Sequence, residues 1–359
     1  MKILLFAILL LASCATSTQK TTEPQIITEA LETEWEKAVR KSSDDLYRLG
    51  LIQYKILTKG AEYCRNHDHV APFIGAKFWS KHSFKKEWHG AALSKFGLGD
   101  EPQIEYVYPS SPADTSGLKA KDIVIHINGL PVQDAPNIVK MIKEVGIAEP
   151  IKFTIRHADE QHEVSVMPVM ACKSRVNLLS TDSSINTYSD GDTIQISKGM
   201  LNFLESDEEI AWIISHELAH NARQHKKKNK IYGYLGGAAG LILGVTADAA
   251  IAVLIGGVGS TVQDTFSSAG MEAGYALASS TSDRQLKQAD YDSLHLMAMA
   301  GYEMEGMPTF WQRIREVNNQ ENKNGFLISY PFSQERALNL EVIQKEVNEK
   351  KRNSSSLVP

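Results

Sequence analysis

The sequence predicts an α+β chain, helical toward both ends with a block of short strands between them. Three patterns carry that expectation. From Ile26 to about Cys64 apolar residues recur at spacings of three and four, as in Leu31, Trp35, Ala38 and Val39 and again in Leu46, Leu49, Ile52, Ile56 and Leu57. From about Leu98 to Met170 the texture changes to alternating segments broken by turn residues. Ser206-Asp207-Glu208-Glu209 then has the capping pattern of Ser followed three residues later by Glu, directly before the apolar run IAWIISHELAH.

The chain has 359 residues, 43% hydrophobic and 23% charged, with a formal net charge of -5. This is ordinary globular composition, and the length fits about two domains. Nucleic acid is not an expected partner, because no broad basic excess is available to neutralise phosphates. The one basic run, His225 to Lys230, reads as a solvated helix end.

The N-terminus has one Lys, an apolar run from Ile3 to Ala12 and then small residues. That run is too short to span a bilayer and reads as a secretory signal. Leu11-Ala12-Ser13-Cys14 resembles the bacterial lipobox. The resemblance implies cleavage before Cys14, lipidation of its sulfur and a membrane anchor. Ala15 after the Cys favours the outer membrane, facing the periplasm. The resulting division is signal peptide 1–13, lipidated tether 14–25, N-terminal helical region 26–95, a strand-rich domain 96–170, a second domain 171–345 and a disordered tail 346–359. Apart from Cys14 the cysteines are Cys64 and Cys172. In an oxidising envelope they pair or remain two buried thiols, and spacing alone leaves both open. Arg65-Asn66-His67-Asp68-His69 reads as a loop; no helix or strand would hold its histidines in metal-binding geometry.

In the strand-rich block, residues 103–109 alternate as a strand, SSPADTSGL is rich in turn residues, and KDIVIHINGLPV runs as a strand into a tight turn at Asn128-Gly129. A helix opens at Pro136, and the strands IKFTIRH and HEVSVMPV follow. This order and the motif SPA…SGL…KDIVIHINGLPV resemble a PDZ domain of the bacterial envelope-protease type, a small β-barrel-like fold inserted near the N-terminus. The resemblance implies an extended peptide ligand added to a sheet edge, with Phe96-Gly97-Leu98-Gly99 as the ligand loop. A packing or regulatory PDZ domain without a peptide is the other reading.

On the capped helix, Ile210, Ile213, Ile214 and Leu218 form a buried stripe. His216 and His220 are four residues apart, so both imidazoles lie on one face one turn from each other. Two such groups can chelate one Zn²⁺, and Glu217 beside them can take a proton from an attacking water. The segments INTYSDGDTIQISKGMLNFL, DEEIAWIISHELAHNARQH and ADYDSLHLMAMAGYE resemble the HtpX-like and CAAX-prenyl-protease-like zinc metallopeptidases, family forty-eight of the metallopeptidases, from about Val176 to Ala337. The resemblance implies a mostly helical gluzincin-type domain with a small edge β-sheet. It also implies that about Asn186 to Ile196 binds substrate backbone, with Thr187 where Ala is usual. Between the two halves of this domain lies Ile231 to Gln263, rich in Gly and Ala with Asp248 as its only charge. It is too short for two membrane crossings and reads as a flap or membrane-surface hairpin, or as a packed core hairpin.

The family supplies its third zinc ligand as a Glu four residues before the Asp of an E-A-D element. Here that Asp is Asp290, and four residues earlier stands Leu286, which cannot bind zinc. Asp283 and Asp290 flank Leu286 on one helix face. By resemblance Asp290 orients the ligands from behind; Asp283, near a helix start capped by Ser282, is the nominated third ligand, and a solvent molecule completing a two-His site is the other reading. Tyr330 stands where the family commonly has His, and its hydroxyl could donate to an oxyanion. The expected function is a zinc metalloendopeptidase of the bacterial cell envelope, acting on unfolded or misassembled envelope proteins. The rival is a degenerate pseudo-peptidase serving as a lipid-anchored peptide-binding or chaperone-like protein.

Overall fold

The computed structural model describes residues 24–180, 182–225, 268–324 and 333–359. The signal peptide, Cys14, the Lys226–Lys230 run, the 231–263 segment and Tyr330 lie outside the described residues. Residues Met1–Lys41 and Ser42–Pro359 form two compact units. The described part of the first is helix, with an Arg40–Glu36 pair at 2.7 Å one turn apart. Among the described residues no helix is long and apolar enough to cross a membrane.

Helix α1 spans Pro24–Lys59, and its stripe Leu49, Ile52, Ile56 and Leu57 is buried in the larger of two hydrophobic cores. After the short α2 (Ala61–Arg65), strand β1 (Val70–Phe73) leads into a sheet domain and β8 (Val169–Cys172) leads out of it. The two strands pair antiparallel, Val70 opposite Cys172 and Phe73 opposite Val169. A disulfide joins Cys64 to Cys172 beside this stem. Both connections to the sheet domain therefore run through one pinned ribbon.

The sheet domain is built on β2 (Ala76–Trp79), β3 (Gln103–Val107), β4 (Ile123–Ile127), β5 (Leu130–Pro131), β6 (Ile151–His157) and β7 (Glu160–Val166). Their order is β2-β3-β4-β6-β7, with β5 paired to β4. Alternation along β6 buries Ile151, Phe153 and Ile155, which meet Ile104, Val124 and Val166 in the second core. Helices α3 (His89–Phe96), α4 (Pro112–Thr115) and α5 (Ala135–Val145) complete it. Asp134 caps α5 by accepting from the Asn137 N–H at 2.7 Å, and Ile138 and Ile142 point into the core.

Two expectations for this region change. Residues 26–95 are not only helical, since β1 and β2 fall there and β2 is an edge strand of the main sheet. Phe96-Gly97 is a helix end with Gly97 left-handed at φ 71°, not a ligand loop. The main sheet has β2 and β7 at its two ends, and β2 is entered through Gly75 at φ 80°. A Cβ on Gly75 would lie 2.3 Å from the Ser111 Cβ, so only Gly permits this approach.

The larger core surrounds the second domain. Strands β9 (Arg175–Leu179), β10 (Thr187–Ser189) and β11 (Thr193–Ser197) form a sheet of order β10-β11-β9, with β10 at one edge. Helices α6 (Lys198–Phe203), α7 (Asp207–Ala222), α8 (Ser268–Met299), α9 (Met307–Asn324) and α10 (Gln334–Arg352) follow. The tail is ordered rather than disordered: α10 continues to Arg352, and Leu357 and Val358 pack against the core.

Candidate active site

Helix α7 begins where Ser206 Oγ accepts from the Glu209 N–H at 3.2 Å. Glu209 does not close the box onto Ser206. Its carboxylate accepts from the Glu205 N–H at 2.8 Å and pairs with Arg313 at 2.8 Å, which fastens α9 to the start of α7. The helix is buried over most of its length, and His216 is fully buried.

Spacing of four places the rings of His216 and His220 side by side, with the two Nε2 atoms 3.2 Å apart. Burial first, and then the neighbouring His216 and His225, push His220 well below the ordinary imidazole range. It is therefore neutral, the form that ligates metals. Asp290 from α8 lies with Oδ1 3.2 Å from His216 Nδ1, and both side chains are fully buried. Arg336 from α10 donates to that carboxylate twice, at 2.7 and 2.6 Å. Burial alone would raise the Asp290 carboxyl, but Arg336 and the adjacent His216 imidazole outweigh it and hold the group at about 2. The Arg336 guanidinium lies 5.9 Å from the Trp212 ring, which itself stacks on His216 at 5.2 Å. His216 is thus fixed from behind by a carboxylate and on one face by an indole.

Glu217 is 5% exposed, and its Oε1 accepts from the Thr187 hydroxyl at 2.9 Å. This contact ties the candidate base to edge strand β10. Asn221, one turn along α7, accepts from the Gly191 N–H at 2.7 Å and donates to the Thr193 carbonyl at 3.3 Å. The β10–β11 hairpin is thereby clamped onto the histidine helix. Gly199 lets residues 183–184 cross the start of α6, since a Cβ there would fall 2.1 Å from the Ser183 carbonyl oxygen.

Asp283 is not brought to the histidines. Its side chain is 67% exposed and pairs with Lys287 at 3.3 Å. The physical reason is the helix frame: α8 starts at Ser268, so Asp283 is inside the helix and no loose N-terminal turn can swing it inward. Leu286 is half-buried. Among the described residues no third His, Cys, Asp or Glu completes a metal cluster with the pair. Tyr330 lies outside the described residues and keeps only its sequence-based nomination.

Three residues belong to this site that sequence reasoning did not assign. Thr187 was noted only for its departure from Ala. Arg336 has no sequence-based assignment. His225 was read as part of a solvated basic run, yet it is 3% exposed and its Nδ1 lies 2.8 Å from His220 Nδ1. The helix stops at Ala222 and Gln224 takes φ 54°, which turns His225 back over the helix end. A His five positions after His220, at the point where an apolar helix runs out, was the available signal.

The donor set fits zinc at two positions. A tetrahedral ion with Zn–N of about 2.0–2.1 Å holds neighbouring nitrogens about 3.3 Å apart, against 3.2 Å between the Nε2 atoms here. Two adjacent imidazoles, His216 fully buried and backed by a carboxylate and His220 half-buried, beside a buried Glu next to edge strand β10 define a metallopeptidase-type site. The chain belongs to Peptidase family M48, whose description matches residues 159–344, more than half of its length. That family is generally zinc-dependent. A PDZ domain description matches residues 103–156. None of the curated proteins matches the chain. Among solved structures, the HtrA3 PDZ domain bound to a phage-derived ligand (FGRWV) is 19% identical, with 28% of this chain and 88% of that chain covered at a TM-score of 0.23. The HtrA-type protease AlgW with decapeptide is 16% identical at a TM-score of 0.24, over 28% of this chain and 30% of that one.

Proposed function

We propose that this chain is a zinc-dependent metalloendopeptidase of the bacterial cell envelope, a lipid-anchored form of the HtpX-like gluzincin group that cuts unfolded or misassembled envelope proteins. The observation that carries the activity is the convergence of the His216 and His220 Nε2 atoms at 3.2 Å beside Glu217. His216 and His220 would hold the metal, which when bound supplies Lewis-acid polarisation of a peptide carbonyl. Glu217 would take the proton from the attacking water and return it to the departing amine. The Thr187 hydroxyl orients that carboxylate, and the edge of β10 receives the substrate as an added strand. Strand addition reads backbone rather than side chains, which suits unfolded chains of varied sequence.

The envelope assignment is supported by the signal-like N-terminus, the lipobox resemblance at Cys14 and the Cys64–Cys172 disulfide. Disulfides persist in oxidising compartments. The decisive test is cleavage of an unfolded protein by zinc-loaded protein and by Glu217→Gln. The reading expects a loss of about 10²-fold or more in the variant. Cleavage that survives the substitution refutes the mechanism, and a zinc-loaded wild type that binds chains without cutting them would leave the pseudo-peptidase.

A further inference from the structure

Of the two histidines that would hold the metal, His216 has Asp290 behind it, with Oδ1 3.2 Å from Nδ1. Behind His220 stands a third imidazole, His225, whose Nδ1 lies 2.8 Å from His220 Nδ1 with the ring centroids 4.9 Å apart. Resting on the zinc reading above, we propose that His225 is a positioning residue. Its Nδ1 accepts the His220 Nδ1 proton and so holds His220 in the tautomer whose Nε2 lone pair faces the metal.

Two ring nitrogens at 2.8 Å share one proton, and its location decides whether the metal position is open. With the proton on His220 Nδ1, the His220 Nε2 carries a lone pair beside His216 Nε2, 3.2 Å away. With the proton on His225 Nδ1, a neutral His220 carries its own proton on Nε2, where it blocks the metal. Only the first arrangement gives two converging lone pairs.

The end of α7 is built to hold this contact. The Arg223 N–H donates to the Ala219 carbonyl at 3.0 Å. The Arg223 guanidinium grips both oxygens of the Asp292 carboxylate, one of them at 3.0 Å. Asp292 is fully buried on α8, and the Tyr63 hydroxyl of α2 donates to it at 2.7 Å. Gln224 then takes φ 54°, an uncommon conformation for a residue other than glycine, and turns His225 back to 3% exposure. Asp290 and Asp292 lie two residues apart on α8. One helix therefore steadies both histidines, His216 directly and His220 through Arg223, the turn and His225.

The first readout is zinc affinity of the full-length protein in competition with a chromogenic chelator. His225→Phe keeps a flat ring without an acceptor and should weaken zinc binding by about 10–100-fold. His225→Asn returns an oxygen acceptor near the Nδ1 position and should recover most of that loss. Arg223→Gln should also weaken binding, and far less so in the His225→Phe background, because both changes remove one restraint. The second readout needs no metal. In zinc-free protein isotope-labelled at its histidine nitrogens, the His220 resonances, assigned by their loss in His220→Asn, should show the Nδ1–H tautomer. They should change to the Nε2–H pattern in His225→Phe and return in His225→Asn. An Nε2–H pattern for His220 in the wild type overturns the proposal, and this holds even where a variant fails to fold. So does unchanged zinc affinity in His225→Phe, or an equal loss in His225→Phe and His225→Asn, which would assign His225 to packing. A wild type that binds no zinc but shows the Nδ1–H pattern would refute the zinc reading while supporting the His220–His225 contact.

Discussion

Asp290→Asn tests how much the fold spends on holding His216. The substitution keeps the shape of the side chain and removes its charge, leaving Arg336, only 8% exposed, without its counter-ion. Breaking a buried pair from one side costs about 3–5 kcal/mol. A second figure comes from titration: the carboxyl lies at about 2 instead of 3.8, which corresponds to about 2.5 kcal/mol of stability at neutral pH. The two figures agree that zinc-free variant protein should lose about 3 kcal/mol in urea unfolding at pH 7. A depressed carboxyl stabilises fully above its unfolded value near 4, and the contribution disappears as pH falls through about 2. The gap between variant and wild type should therefore narrow, with roughly half of the titration part gone by pH 3. Zinc titration should show affinity falling about 10–100-fold. An unchanged urea midpoint at pH 7, or a gap that does not narrow with acid, would refute the reasoning.

Leu286→Glu puts a carboxylate on the α8 face that carries Asp290, and zinc affinity should rise by at least about tenfold; an unchanged affinity in competition with a chromogenic chelator would remove that position from the site. Thr187→Val withdraws the donor from a buried carboxylate, at a cost of about 1–3 kcal/mol, and should slow cleavage while Thr187→Ser restores it. Failure of Ser to rescue would assign the loss to packing. The disulfide spans 108 residues, for which loop-closure entropy gives about 4.7 kcal/mol. Paired Cys64→Ser and Cys172→Ser substitutions should lower the urea midpoint to that of reduced wild type, and a midpoint equal to that of oxidised wild type would contradict the assignment.

The histidine helix was legible because its signals are local: a cap, an apolar stripe and a spacing of four. Its surroundings were not, because they depend on where distant elements meet. Leu286 showed that a ligand was missing, but the exposure of Asp283 follows from α8 starting at Ser268, well before the nominated cap, although Gly270, Gly274 and the Ser279–Ser282 run weaken the helical pattern between them. His225 was hidden by five following polar residues that made its surroundings look solvated. The sheet domain was recognised through β3 to β7, whereas β2 was missed. Its four residues, Ala76–Trp79, are too few to show a strand alternation of their own, although Pro72 and Gly75 precede them, and only pairing with β3 defines them as a strand. The disulfide was undecidable from spacing, since it depends on α2 ending next to the β1–β8 ribbon.

That ribbon makes the sheet domain a detachable part. Phe73 and Val169 face each other across the last rung before the chain enters the domain. A two-residue turn could join them directly, deleting everything between, and the core built on α7 and α8 would keep its own buried residues because the two cores share none. What such a trimmed protein would lose is the aromatic seam where Tyr47 and Tyr54 of α1 meet Tyr108. The same junction would accept a foreign binding module, making the stem a natural port for redirecting which chains are delivered to the histidine helix.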